Sequence, residues 1–337
     1  MKKFFATVAM ALTLMSANAA IISVAKGYVF GNEDATNAEL KRFPTIYDAL
    51  MQVKEGDKIT FKVTAVASEE DCVEGPYLAV KDNWKEVKAF DAEEIVEGAE
   101  FTFVIQEYKN GKKTIMKPAD FNKAANAVAV SARGVTVDIY MDIADAEAPA
   151  AYTGDKEGEK TVYYNPEGLD VDWGMHCMFD EYYFKGLEVG GQLELDFKDV
   201  DNSNPEKPAQ VVLQDHNNWK TFLSNDANAL TNSVKVLVPI ENNKMVWTVG
   251  EDQDDALYYM NGDQEGPNLK GQNCKLTRIV VRSKAAVAAG INSIKAENKI
   301  VDGRVFNLNG QMVSKNGNVE QLPQGVYIHN GKALIKK

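Results

Sequence analysis

Short runs in which apolar residues occupy every second position dominate this chain. Ile59, Phe61 and Val63 alternate with Lys58, Thr60 and Lys62, and Leu193, Leu195 and Phe197 follow the same pattern. A period of two puts successive side chains on opposite faces of a strand, so each run predicts a half-buried β-strand. Gly-rich turns separate the runs, and helical periodicity is scarce. Short helices are expected only at 45–53 and 180–187.

The pattern then repeats. Val29-Phe30-Gly31-Asn32, the run from Gly56 to Val63 and Tyr77-Leu78-Ala79-Val80-Lys81-Asp82-Asn83-Trp84-Lys85 form one copy. Val162-Tyr163-Tyr164-Asn165, the run from Gly190 to Phe197 and Gln210-Val211-Val212-Leu213-Gln214-Asp215-His216-Asn217-Asn218-Trp219-Lys220 form the second. A spacing of about 134 residues is too long for a solenoid and suits duplication of a whole domain. The expected fold is all-β: two tandem antiparallel β-sandwich modules at 21–141 and 161–283. Residues 142–160, rich in Ala, Asp, Glu and Gly, read as a linker. Residues 283–290 read as a spacer before a small β-hairpin module at 290–337.

Both ends of the chain speak of export. Lys2 and Lys3, an apolar stretch from Phe4 to Leu14 and Ala17-Asn18-Ala19 have the form of a signal peptide cleaved near Ala19, and no other run is long enough to span a bilayer. At the other end, Asn-Leu-Asn-Gly-Gln-Met-Val (307–313), Leu-Pro-Gln-Gly-Val-Tyr-Ile (322–328) and Asn330-Gly331-Lys332 frame two hairpins closed by Asn-Gly turns. This order resembles the C-terminal sorting domain of type IX secretion cargo. The resemblance implies a partner in the secretion machinery and a destination at or beyond the outer cell surface. The Gly-Asp-Lys-Ile strand, the strand entering Asp-Asn-Trp and the closing Leu-Thr-Arg-Ile-Val-Val look like galactose-binding-like, jelly-roll modules of the carbohydrate-binding kind. That second resemblance implies a polysaccharide or glycan as ligand.

Charge and cysteine trim the possibilities. A formal net charge of −12 argues against nucleic acid and anionic membranes, which bind through Lys and Arg. Three widely spaced cysteines, Cys72, Cys177 and Cys274, make no framework. They leave open a Cys177–Cys274 disulfide or three small buried hydrophobes.

The repeated Asp-Asn-Trp group is the sharpest candidate for binding: Asp82, Asn83 and Trp84 in one copy, Asp215, Asn217, Asn218 and Trp219 in the other. An indole can stack on the C–H face of a sugar while Asp and Asn bond its hydroxyls. The same residues would equally serve as a core plug above an Asx-turn. Trp173, between Asp172 and Gly174, suits a binding loop of the second copy; Trp247 reads as core. Asp199, Asp201 and Ser203 alternate as oxygen ligands would in a calcium loop, without the Gly and Glu such loops carry. The acidic run 251–255 shares that ambiguity with an ordinary solvated turn. No other cofactor is implied. No nucleophile elbow, metalloprotease helix or phosphate loop occurs. The expectation is a non-catalytic exported glycan binder, with a structural or adhesive surface protein as the alternative and an accessory or hydrolase role in polysaccharide degradation as a lesser one.

Overall fold

A computed structural model describes residues 20–121, 128–144, 146–174, 178–215, 219–229, 236–261 and 266–289, with 305–307, 312–314, 322–329 and 332–336 of the C-terminal segment. Contacts divide the chain into two compact units, with the break after Ser283. The first unit holds four four-stranded sheets. In order across the sheet, the first is Ala20–Val29, Val135–Ile143, Lys58–Val66 and Glu100–Val104; the second is Thr36–Glu39, Val128–Arg133, Tyr77–Asp82 and Lys85–Ala89. The third is Glu159–Asp170, Lys275–Arg282, Gln192–Lys198 and Lys244–Thr248; the fourth is Val236–Leu237, Thr221–Ser224, Gln210–Asp215 and Pro267–Gln272. Pairing is antiparallel except between Thr221–Ser224 and Val236–Leu237.

These sheets form a four-bladed, propeller-like ring, which overturns the expected pair of sandwich modules. Alternation along each strand was a sound guide to the strands themselves. Ile59, Phe61 and Val63 are buried, as are Leu193, Leu195 and Phe197. What alternation leaves open is which buried face packs on which, because any apolar face satisfies any other. A single core cluster runs from Ile22 to Val281 and draws side chains from all four sheets.

Aromatic side chains join the two halves of the sequence. Tyr28 stacks on Tyr182 with ring centroids 5.7 Å apart, and Phe43 packs at 5.8 Å from Tyr183. Tyr28, Phe43 and Tyr183 are buried, each such ring contributing about 1.5–3 kcal/mol, and Tyr182 is partly buried against them. Hydrogen bonds cross the same junction: the Asp180 amide donates to the Arg42 carbonyl at 2.9 Å, and the Tyr182 hydroxyl bonds both the N–H and the carbonyl of Lys26. Residues 180–187 were expected to be helical, and a 3-10 turn at Glu181–Phe184 supplies these tyrosines. The helix expected at 45–53 is a 3-10 turn, Pro44–Ile46, leading into one turn of α-helix, Tyr47–Leu50. Beside it opens a cleft of about 670 Å³ lined by Thr45, Asp48, Gln52, Glu147 and Tyr164.

Residues 146–156 cross between the halves without regular structure but are fastened down. Tyr152 lies under the Arg278 guanidinium at 3.8 Å, and Asp155 pairs with the same arginine. The acidic run 251–255 opens an α-helix, Asp254–Asn261, that the sequence pattern did not predict. Its acids sit at the helix N-terminus, where the dipole favours them. Trp247 is buried, as expected, and donates to the Gln253 side chain at 2.8 Å.

The second unit contains a four-stranded antiparallel sheet in the order Met312–Ser314, Val305–Asn307, Gly325–His329, Lys332–Lys336. The Asn-Gly turns at 309–310 and 330–331 lie outside the described residues. So does the expected signal peptide, and so does Cys177. Cys72 and Cys274 are buried free thiols, the latter pushed up to about 12 by burial.

Candidate functional site

The two repeated tryptophans follow corresponding strands, Tyr77–Asp82 and Gln210–Asp215, and are exposed. Asn83 and Trp84 are the central pair of the turn joining Tyr77–Asp82 to Lys85–Ala89, with φ of 45° and 66°. Two successive positive φ values mark a type I′ turn, the form that fits the twist of a hairpin. Trp219, at φ 56°, donates its amide to the Asp215 carbonyl at 3.0 Å, and the Asp215 amide donates to Lys220. Bulky residues rarely adopt this left-handed backbone, because Cβ crowds the following carbonyl. Trp84 is 58 % exposed and Trp219 44 %, so neither plugs a core. Asp82 and Asp215, by contrast, are buried beneath the turns; Asp82 accepts from the Asn83 side chain at 2.9 Å. Asn217 and Asn218 lie outside the described residues.

Trp173 is 49 % exposed and reaches the fourth sheet, where its indole N–H donates to the Gln272 side chain at 3.3 Å. Two residues earlier on the same strand, the Lys270 ammonium lies 4.3 Å above the Trp219 ring. Residues two apart on a strand share a face and stand about 7 Å apart. Trp219, Lys270, Gln272 and Trp173 therefore make a line along one face of the fourth sheet. Tertiary structure brings together two of the expected candidates, Trp219 and Trp173, which are distant in sequence.

The amides of this face are already engaged. Gln272 donates to the Pro208 carbonyl, Gln210 to Asp226 and Gln214 to Thr221. Partial burial lowers Lys270 from the ordinary lysine value, opposed by the carboxylate of Asp172. Asp172 itself accepts the Gly174 amide at 2.7 Å, which shapes the Trp173 loop. Between Lys270 and Gln272, Gly271 has φ 156° and a Cβ there would lie 1.8 Å from the Gln210 carbonyl oxygen. Only glycine lets the site strand approach its neighbour this closely.

Lys270 and Gln272 escaped sequence reasoning. Their signal was the polar alternation Asn268, Lys270, Gln272 around buried Leu269, in a segment with too few apolar residues to read as a strand. By strand register the first half has Ser131 and Arg133 at these positions. Ser131 is buried and Arg133 pairs with Glu74, so Trp84 stands at a hairpin tip without the same flanking line.

The calcium candidates are exposed and engaged by neighbouring protein groups. Asp201 accepts the Ser203 amide at 2.8 Å, and Asp199 faces Lys275 at 3.6 Å. Among the described residues no group of three or more His, Cys, Asp or Glu side chains is placed to hold a metal ion. Among the same residues no helix is long and apolar enough to cross a membrane.

No family model and no curated protein matches this chain. Among solved structures it is similar to SGBP-B of the Bacteroides ovatus mixed-linkage glucan utilization locus, in complex with a mixed-linkage heptasaccharide. Identity is 10 %, the TM-score is 0.23, and the match covers 79 % of this chain. It spans 54 % of that protein, about half its length.

Proposed function

We propose that the protein is an exported, non-catalytic glycan binder and that its ligand lies along the fourth sheet over Trp219 and Trp173. The observation that carries this reading is the presentation of Trp219. The chain holds a large apolar ring at a strained, left-handed backbone position, exposed, in line with a second exposed indole. Neither the core nor the turn gains from that arrangement, since a buried ring or a glycine would serve each better. Flat rings set along one face suit a polymer whose sugars expose C–H faces in succession. The carboxylates beneath it are buried or bonded to neighbours, which supports holding a ligand rather than cleaving one. The signal-like start and the sorting-like tail support a location at or outside the cell surface.

Affinity electrophoresis in gels containing polysaccharides tests the reading. Trp219→Ala and Trp173→Ala should each weaken retardation about tenfold while leaving the unfolding midpoint unchanged. Adhesion to proteins with no retardation by any polysaccharide would instead show a structural or adhesive role, and release of reducing sugar would show a hydrolase.

A further inference from the structure

We infer that the sugar recognised on the fourth sheet is acidic, its uronate carboxylate pairing with Lys270; this rests on the glycan reading above and narrows it. Lys270 sits between the two indoles, its ammonium over Trp219 and its strand neighbour Gln272 bonded to Trp173. The ammonium covers part of one face of the Trp219 ring, so a ligand approaching that face meets the charge directly.

Three observations point to an anion. First, Gln210, Gln214 and Gln272 each spend one amide N–H on a bond within the protein, which leaves each a single neutral donor for a ligand. The ammonium, with three N–H groups and a ring beneath it, is the charged donor of the line and the stronger one for an anion. Second, among the described residues Lys270 forms no salt bridge and feels the Asp172 carboxylate only as a nearby charge, whereas partly buried cations of the third sheet such as Lys244 and Arg282 are doubly paired. A half-desolvated ammonium resting on an indole gains most from a ligand that brings its own negative charge. Third, the fold does not require a cation there, since Ser131 fills the equivalent place in the second sheet.

The net charge of −12 opposes this pairing at long range. An acidic protein repels polyanions at long range, so a polyanion must be held by a local cation at short range. Such binding should also weaken as salt rises, because the pair is open to solvent on one side.

The test compares retardation by polygalacturonate and by the same polymer fully methyl-esterified, which removes the charge and keeps the rings. The wild type should bind polygalacturonate at least about tenfold more tightly than the ester, and Lys270→Gln should abolish that difference. Lys88→Gln, which removes a lysine stacked on Phe90 in the first half, should leave it intact. Equal binding of both polymers, or unchanged polygalacturonate binding by Lys270→Gln, would overturn the acidic ligand. If neutral polymers still bind through Trp219 and Trp173, the glycan reading survives that failure. If no polysaccharide binds, both fall. A sulfated galactan held as tightly as polygalacturonate would overturn the assignment to a carboxylate.

Discussion

The Tyr28 hydroxyl donates to both oxygens of the Asp180 carboxylate, at 3.1 and 3.2 Å, across 152 residues of sequence. This contact sits where the two halves of the chain meet, among Phe43, Tyr182 and Tyr183. The Tyr182 amide also donates to Asp180, at 3.0 Å, and Arg42 and Glu181 contribute opposing charges. Burial dominates and raises the carboxyl from 3.8 to about 7.

A folded-state value above the unfolded one means that the native protein holds this proton more tightly. Its contribution is present at low pH and is lost as pH rises from about 4 to about 7. The shift corresponds to stability on the order of 4 kcal/mol. Urea midpoints measured between pH 5 and 8 should therefore fall with pH more steeply in the wild type than in Asp180→Asn. Parallel slopes would show that Asp180 is ionised throughout.

Arg282 provides a test with the opposite logic. Its guanidinium bonds Glu159 at 2.7 Å, Glu194 at 2.9 Å and Gln192 at 3.1 Å, tying the strands of the third sheet together. Burial would raise Glu194, but hydrogen bonds from Lys244 and Arg282 bring it down to about 2. Arg282→Met leaves two carboxylates without that partner, and equilibrium unfolding at pH 7 should show a loss of about 3 kcal/mol. The deficit should shrink toward pH 4, where the freed carboxylates take up protons.

Backbone strain at Trp84 can be read directly. In its left-handed conformation, glycine is relaxed and alanine is not. Trp84→Gly should be about 1 kcal/mol more stable than Trp84→Ala by chemical denaturation. In an ordinary strand or turn the order would reverse, so a more stable alanine variant would contradict the left-handed turn.

Gly271→Ala places a methyl group against the Gln210 carbonyl and the Val211 backbone. The site strand must move away, breaking the Gly271 amide's bond to the Asp172 carbonyl. A loss of about 3 kcal/mol or more is expected, together with weaker retardation in polysaccharide gels. A variant of wild-type stability would show that the strand can shift without cost.

The sequence alone determined the strands with period-two alternation, such as Lys58–Val66 and Gln192–Lys198, and their buried faces. Those features are local: a period of two is written within ten residues. It did not determine how the sheets assemble, because apolar faces are interchangeable partners and Tyr28 gives no local sign of Asp180. Nor could it decide whether the tryptophans plug a core or meet solvent, since both roles use the same residue at the same strand end. Lys270 and Gln272 gained meaning only when tertiary packing set them between two indoles from distant loops. The candidate site is a product of that convergence, and sequence spacing does not record it.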